Sequence, residues 1–208
     1  MRAMAHLLHT LRNPEDHDDT PTTAPRFLTF AAGASGSWQI DSIRSVVGES
    51  MPAASRLAAV AGTDTVTENV TWTLRGITSN ERYVQRDEKA ALVSRQEGLG
   101  RLASICAALI PIRKTAAWWA LTQQDRREIF EEQSRHIAIG LKYRPAVARR
   151  QHHCRDLGLS EPFDFLTWFE YSPSATSAFE DLLQALRESA EWRFVDRECD
   201  VRLSRPLT

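Results

Sequence analysis

The chain has 208 residues, of which 42% are hydrophobic and 25% are charged, the ordinary balance of a soluble globular protein. Its 26 basic and 27 acidic side chains give a formal net charge of −1, which offers no bulk attraction to nucleic acid or to an anionic membrane surface. No run approaches the roughly 20 apolar residues that a membrane-spanning helix requires. These features exclude the usual nucleic-acid and membrane proteins and favour a small partner.

The cysteines and the N-terminus indicate a cytoplasmic protein. Cys106, Cys154 and Cys199 are far apart in sequence and show no metal-binding spacing, which is typical of a reducing compartment. The N-terminus lacks a continuous apolar core of signal-peptide length. Residues 1–24 are polar, acidic and rich in Asp, Thr and Pro, so we expect them to form a disordered tail.

The predicted elements of the first half are mostly strands. RFLTFAAG, residues 26–33, and TWTLRGITS, residues 71–79, are typical of strands, the second because apolar and polar residues alternate. SWQIDSIRSVVG, residues 37–48, favours an extended or mixed segment. A helix is predicted over residues 86–98, and its final glycine ends it.

The second half repeats this order with more helix. Residues 103–114 predict a strand, a short helix carries the tryptophan pair, and a longer helix begins at Thr122, whose side chain suits an N-cap. Strands are predicted over residues 147–155 and 163–172, and the last one over residues 191–205. The helix before that last strand has one apolar stripe, formed by Phe179, Leu182, Leu183 and Leu186.

The order of elements predicts the fold class. Strands interleaved with helices in two similar halves indicate an α+β protein with an antiparallel sheet, the arrangement that a duplicated split βαβ unit produces. We place the first half at residues 25–98 and the second half at residues 99–208.

His136 and Arg149, thirteen residues apart, are the first candidates for a site. A histidine among apolar neighbours is commonly structural, and one continuous helix would place the two side chains about 140° apart and roughly 20 Å along the axis. Pro145 prevents such a helix, because it lacks a backbone donor and disfavours helical geometry at the preceding residue. The chain can therefore turn back and bring the two residues together.

The strands predicted after Pro145 have distinct faces. One face of the first strand is formed by Val147, Arg149, Gln151 and His153, and the other by Ala148, Arg150, His152 and Cys154. One face of the second strand is formed by Phe163, Phe165, Thr167 and Phe169. A cation beside an aromatic wall costs desolvation energy unless an anion lies against it. Both a functional site and a structural ion pair are therefore open for Arg149.

Several motifs occur in a fixed order along the chain. They are TWTLRGITSNERY in the first half, then RKTAAWW, SRH, the arginine thirteen residues later, HHCRDLG, FDFLTWFEY and AEWRF. From about Arg26 to Arg205, this set resembles the chlorite dismutase family, particularly its short, dimeric lineage. The resemblance implies a homodimer of barrels, each built from two ferredoxin-like repeats, with one haem b in the C-terminal repeat. It also implies a chlorite dismutase that converts chlorite to chloride and dioxygen through a ferryl and a hypochlorite intermediate.

The resemblance assigns His136 as the proximal ligand of the haem iron. The second ring nitrogen would donate to the carboxylate of the AEWRF motif, Glu191, with Glu188 as the nearest alternative. Such a carboxylate fixes the tautomer of the imidazole and makes it a stronger donor to iron. Trp118 and Trp119 match the paired tryptophans near the haem edge, for which core packing is the alternative.

Three further residues are candidates for contact with the haem propionates, and two of them, Asn80 and Tyr83, match the first-half segment that makes this contact in the family. Asn80 and Tyr83 carry an amide and a phenol that can donate to carboxylates. Lys114 lies four residues before Trp118, so a helix would place both on one face, where the lysine could meet a propionate.

Arg149 matches the distal arginine that distinguishes chlorite-degrading members from the coprohaem decarboxylases of the superfamily. A guanidinium keeps its charge and presents a fork of donors, so it can hold chlorite and transient hypochlorite. Gln96 is similar to the distal glutamine that bonds this arginine, with a surface glutamine as the alternative. Thr167 and Phe169 match the lining of the distal pocket. Gln151 departs from the family pattern, in which an apolar residue is expected.

Other functions compete with this interpretation. A zinc site using His136, His152, His153 and Cys154 is disfavoured, because adjacent strand residues point to opposite faces and no CxxC motif supports them. A non-enzymatic haem sensor or storage protein would keep the histidine but has no need for a fixed distal cation. A haem peroxidase of the same superfamily would carry a distal aspartate, and none is evident beside Arg149.

Overall fold

The computed structural model describes residues 27–62, 69–79, 82–94, 98–157 and 160–206. The predicted tail, together with Asn80 and Gln96, lies outside these residues. The described chain is an α+β structure in which eight antiparallel strands close into a barrel. The strands are β1 (Phe27–Gly33), β2 (Trp38–Val47), β3 (Arg56–Ala61), β4 (Val70–Thr78), β5 (Cys106–Lys114), β6 (Val147–His153), β7 (Phe165–Tyr171) and β8 (Val195–Ser204).

The strand order around the barrel is β1-β3-β2-β8-β5-β7-β6-β4. The first four strands and the last four therefore follow one pattern, in which the fourth strand of the set lies next to the first, then the third, then the second. The two sets meet where β2 pairs with β8 and where β4 pairs with β6. The β4 and β6 seam is short, with Ile77 opposite His153 and Thr78 opposite His152.

Most helices lie outside the barrel between strands of the second set. The α-helices are α1 (Arg86–Ser94), α2 (Ala116–Ala120), α3 (Gln123–Arg127), α4 (His136–Lys142) and α5 (Thr176–Arg187). A π-helix spans Glu128–Gln133, and 3₁₀ helices span Arg155–Leu157, Pro173–Ala175 and Ala190–Phe194. None of the helices in the described ranges is long and apolar enough to cross a membrane.

The helix predicted from Thr122 begins as expected but ends early. Thr122 and Asp125 form a reciprocal capping box at its start. The chain then breaks at Arg135, which has a left-handed φ of 53°, and α4 begins at His136. Glu131 starts the new helix, because its carboxylate accepts a hydrogen bond of 2.6 Å from the backbone of Ile137. The helical stretch that contains His136 is therefore separate from the helix that begins at Thr122.

Two strands differ from the sequence prediction: β3 was not predicted, and the last strand begins later than predicted. β3 is not predicted from its sequence RLAAVA, because alanine has low β-propensity and the pattern is short. The last strand begins at Val195, not at Glu191, since the AEWRF motif forms a 3₁₀ helix. Glu191 therefore lies in this 3₁₀ helix and not in the strand, and its side chain is buried.

The strands of the second set are covered on both sides, which gives two apolar layers. The barrel interior contains alternate residues of β5 and β7, such as Leu109, Leu166 and Trp168, packed with Phe30. The outer layer packs the other alternate residues, such as Ile110 and Phe169, against α5. The predicted stripe of α5 is buried in this layer: Phe179, Leu182, Leu183 and Leu186.

The predicted faces of β6 and β7 agree with this layering, with one exception. Phe165, Thr167 and Phe169 all point outward, toward the helices. Phe163 belongs to the interior cluster instead, because β7 begins only at Phe165 and the alternation does not extend before it.

Gly76 on β4 is required by close packing at the β4 and β6 seam. A Cβ at this position would lie 2.6 Å from the Cβ of His152 and 3.4 Å from the Sγ of Cys154. We expect Gly76→Ala to lower the free energy of unfolding by about 1–3 kcal/mol through overpacking, measured by urea denaturation. Gly98→Ala is the control, since no described heavy atom lies within 4 Å of its Cβ position. Equal stability of the two variants would contradict the prediction.

Candidate functional site

A cavity lies between the outer face of β5, β6 and β7 and the helices that cover these strands. The three strands form one wall, and the opposite wall comes from α2, the π-helix, α4, α5 and the 3₁₀ helix after it. The lining of the cavity combines aromatic and aliphatic side chains with a few charged groups.

The imidazole of His136 is held by a buried carboxylate. His136 Nδ1 lies 2.7 Å from Glu191 Oε2, and Lys114 Nζ lies 2.7 Å from the other oxygen, Oε1. Burial by itself raises the pKa of Glu191, but Lys114 and His136 outweigh it and lower this pKa to about 2. The ionised carboxylate can only accept, so Nδ1 donates to it, and in the neutral ring Nε2 keeps its lone pair.

Three residues that sequence reasoning missed fix this pair in place. Ser134 Oγ accepts a hydrogen bond of 2.8 Å from the backbone N–H of Glu191. Phe130, on the π-helix, stacks on the ring of His136 with the centroids 4.3 Å apart. Glu131 holds the start of α4, on which His136 is the first residue. A π-helix is a common feature of functional sites, but the sequence carries no signal that distinguishes it from an α-helix.

Glu188, the alternative partner of His136, is excluded by position. It is exposed on the surface and accepts a hydrogen bond of 2.8 Å from Gln184. Glu191, three residues later, is only 4% exposed and reaches the imidazole.

Arg149 faces the open side of His136. Its Nη1 lies 3.3 Å from His136 Nε2, and its guanidinium packs against α4 at Gly140. Burial lowers the pKa of Arg149 to about 10; repulsion from Arg144 adds to this shift, and attraction to Glu191 opposes it. Arg149 thus stays a cation at neutral pH. The turn at Pro145 does bring the two residues together as predicted.

The distal wall around Arg149 is formed by β6 and β7. Gln151 lines the cavity on the same strand face as Arg149 and pairs across the sheet with Thr167. Thr167 and Phe169 line the cavity as well, and Phe169 pairs with Arg149. A guanidinium, an amide and a hydroxyl are therefore grouped on one wall, next to an aromatic ring.

The two tryptophans differ in position. Trp118 is 1% exposed and lines the cavity, with its ring 4.7 Å below Lys114 Nζ. Trp119 is not among the residues that line it; this ring stacks on Phe165 at 6.0 Å and donates to Asp164. Of the two tryptophans predicted to lie near the haem edge, only Trp118 therefore lines the cavity.

Lys114 is placed differently from its prediction. It is the last residue of β5 and not part of a helix, so the helical spacing to Trp118 does not apply. The ammonium is buried and bonded to Glu191, behind the imidazole. This position assigns Lys114 to the carboxylate instead of the rim of the cavity.

Tyr83 lines the cavity, and its hydroxyl is buried without a partner among the described residues. Its neighbour Arg82, which sequence reasoning missed, also lines the cavity and bonds His153. Trp192 is a further missed lining residue; its indole donates to Glu198 at 2.8 Å.

The geometry does not support a zinc site at the histidine pair. His152 points into the barrel, where its ring contacts Phe30 at 5.5 Å, whereas His153 points outward and contacts Phe165 at 5.2 Å. Within the described ranges, no group of three or more His, Cys, Asp or Glu side chains could hold a metal ion.

Comparisons with known proteins agree with this fold. The family model described as Chlorite dismutase matches residues 43–206, which is most of the chain. A chlorite dismutase from Ideonella dechloratans is 30% identical over 128 residues, covering 61% of this chain and 42% of that protein. The chain therefore spans less than half the length of that relative.

Two groups of solved structures are similar. A crystal structure of dimeric chlorite dismutases from Nitrobacter winogradskyi is 55% identical, with a TM-score of 0.79, and covers 86% of this chain and 99% of that one. The chlorite dismutase from Candidatus Nitrospira defluvii in complex with imidazole is 21% identical, with a TM-score of 0.61, and covers 87% of this chain and 91% of that one. The second likeness shows the fold alone.

The fold and the site together define an α+β barrel protein with a ligand cavity between its sheet and its helices, where a carboxylate-bound imidazole faces an arginine. The match to the family model then identifies the family within this class of proteins. The chain belongs to the chlorite dismutase family.

The low pKa of Glu191 predicts a pH-dependent contribution to stability. Its folded pKa of about 2 lies below the ordinary value of roughly 4.3, so the contribution is complete above the ordinary value and is lost as pH falls toward 2. We expect Glu191→Gln to cost about 3–5 kcal/mol at pH 7, since Lys114 stays buried without its anion. Urea denaturation from pH 7 to pH 3 should show this difference shrinking with acid.

The matched control for this measurement is Glu188→Gln, which removes an exposed carboxylate three residues away. It should change the free energy of unfolding by less than about 0.5 kcal/mol at every pH. A difference between wild type and Glu191→Gln that stays constant down to pH 3 would show that the carboxylate is not ionised in the folded protein.

Proposed function

We propose that this protein is a haem b-dependent enzyme that converts chlorite to chloride and dioxygen. The observation that carries the proposal is the arrangement of His136 and Arg149, with Nε2 of one facing Nη1 of the other at 3.3 Å inside the cavity. The two groups contact each other directly here, and a metal bound by Nε2 would replace this hydrogen bond and leave Arg149 beside it as a cation for an anionic substrate. Family membership supports the choice of chlorite.

The residues of the cavity fit a haem. Nε2 of His136 carries the lone pair of the ring, since Nδ1 donates to Glu191; this lone pair accepts from Arg149 Nη1 here and would bind iron in place of that hydrogen bond. Flat apolar surfaces are supplied by Trp118, Phe130 and Phe165. The buried Tyr83 hydroxyl, which has no partner among the described residues, is a donor suited to a propionate.

Bound haem would supply the redox chemistry that removes an oxygen atom from chlorite. His136 would be its protein ligand, and Glu191 would keep the Nδ1 proton and strengthen the donor character of Nε2. Lys114 keeps Glu191 ionised, so the carboxylate accepts from the imidazole and does not take a second proton from solvent.

Arg149 would act on the substrate side. Its guanidinium can hold chlorite by charge and by parallel N–H donors, and it can retain hypochlorite after the first oxygen atom has left. The net reaction would take one chlorite to one chloride and one dioxygen, so it would need no external electron donor. Gln151 and Thr167 supply further polar contacts on the same wall.

Gln96 and Asn80 keep their proposed roles as a partner of Arg149 and a propionate donor, on the resemblance alone. We also propose that the barrel consists of two ferredoxin-like repeats. In each set of four strands the order is fourth, first, third, second, which is typical of such a repeat. The solved relative at 55% identity is described as dimeric, which supports a homodimer here.

Oxygen release on addition of chlorite tests the function. The haem-loaded wild type should release about one dioxygen per chlorite in an oxygen electrode. Arg149→Ala should keep its haem and lose about 10²-fold or more in rate, in line with the removal of one preorganised charged donor. His136→Ala should bind haem poorly and keep the circular dichroism spectrum of the folded barrel.

Arg150→Ala is the control for the strand face, because Arg150 points away from the cavity. It should retain most of the wild-type rate. If wild type oxidises generic peroxidase substrates but releases no oxygen from chlorite, the protein is a haem peroxidase. Haem binding without either activity would favour a sensor or storage protein.

A further inference from the structure

A pocket opens at the surface beside the main cavity, and the two share Arg82 in their walls. Its other walls come from the end of β4, the end of β6 and the 3₁₀ helix that follows β6. Arg82 therefore stands between the solvent side and the cavity that contains Arg149.

Arg82 determines which nitrogen of His153 carries the proton. Arg82 Nη2 lies 3.0 Å from His153 Nδ1. A guanidinium can only donate, so Nδ1 accepts, and the proton of the neutral ring is on Nε2. Burial, with the charge of Arg82 adding to it, lowers the pKa of His153, which favours this neutral form.

Two donors in this group lack an acceptor. His153 is only 6% exposed, and its buried Nε2 has no hydrogen-bond partner in the described part of the chain. The same holds for the buried Nε of Arg82. Asp156 is the anion nearby, but its Oδ2 lies 3.6 Å from Arg82 Nη2 and from His153 Nδ1, on the other nitrogen of each group, and its side chain is 72% exposed. A buried donor without an acceptor is unfavourable and suits an anionic ligand.

We propose that the pocket at Arg82 and His153 binds a small monovalent anion before it enters the main cavity. The ligand class follows from a cation and an N–H donor in a small polar pocket. The inference rests on the proposed function, since chlorite is such an anion. Because Arg82 lines both spaces, its charge can attract an anion from this pocket toward the cavity that contains Arg149.

Anomalous diffraction tests the site directly, with bromide as the probe. Crystals of the haem-loaded protein soaked in bromide should show a bromide within about 3.5 Å of His153 Nε2. Crystals of Arg82→Gln soaked at the same concentration should show none there. Absence of bromide from this pocket in wild type overturns the proposal, as does equal occupancy in the variant.

Ligand-binding kinetics test the role in entry. Azide, an anion, and imidazole, measured at pH 8 where it is mostly neutral, are mixed with the ferric protein, and binding is followed by stopped-flow absorbance. Arg82→Gln should slow azide association about tenfold at low salt and leave imidazole association within about twofold, because the charge steers only the anion. His153→Phe should slow azide association in the same direction.

Arg113→Gln is the matched control, because it removes the same charge from an exposed residue paired with Asp196. It should leave both rates unchanged. Haemin titration of each apoprotein tests whether Arg82 instead holds a haem propionate. If Arg82→Gln weakens haemin affinity and leaves azide association unchanged, Arg82 holds a propionate and the entry site is overturned. A wild type that binds no haemin refutes the proposed function, and bromide soaks of haem-free crystals of wild type and Arg82→Gln then decide the site by the same criteria.

Discussion

The carboxylate of Glu191 is the group on which the site depends. It is buried, ionised and bonded on one oxygen by Lys114 and on the other by His136. Removing water from three ionisable groups is costly, and the cost is offset because Lys114 and His136 each donate to one oxygen of Glu191 at 2.7 Å. This geometry fixes which nitrogen of the imidazole faces the cavity. The orientation of Nε2 toward Arg149, and therefore the proposed chemistry, follows from it.

The barrel supplies the precision that this arrangement requires. Lys114 ends β5 and Arg149 lies on β6, and β7 pairs with both strands, so their relative positions are set by the hydrogen bonds of the sheet. The opposite wall, which carries His136 and Glu191, is built from less regular elements: a short helix, a π-helix and a 3₁₀ helix. Regular strands thus fix the anion-facing wall, while irregular helices present the imidazole and its carboxylate.

Local patterns predicted the elements that depend on local contacts. The stripe of α5, the capping box at Thr122 and the outward face of Thr167 and Phe169 follow from periodicity and spacing, and Pro145 correctly indicated that Arg149 turns back to His136. The bond between Lys114 and Glu191 joins residues 77 apart, and that between Arg82 and His153 joins residues 71 apart. Local sequence patterns cannot predict contacts between residues so far apart in the chain. The break at Arg135 was equally hidden, because a side chain, Glu131, starts the next helix.

The separation of His136 and Glu191 along the chain governs when the site can form. They are 55 residues apart, and Glu191 is immediately followed by β8, the strand that lies between β2 and β5 and so joins the two sets. During synthesis the imidazole emerges long before its carboxylate, and until β8 pairs with both neighbours neither the barrel nor the ligand is complete. Binding of the proposed haem would therefore be tied to the last step of folding, because a partly folded chain lacks the carboxylate that orients His136.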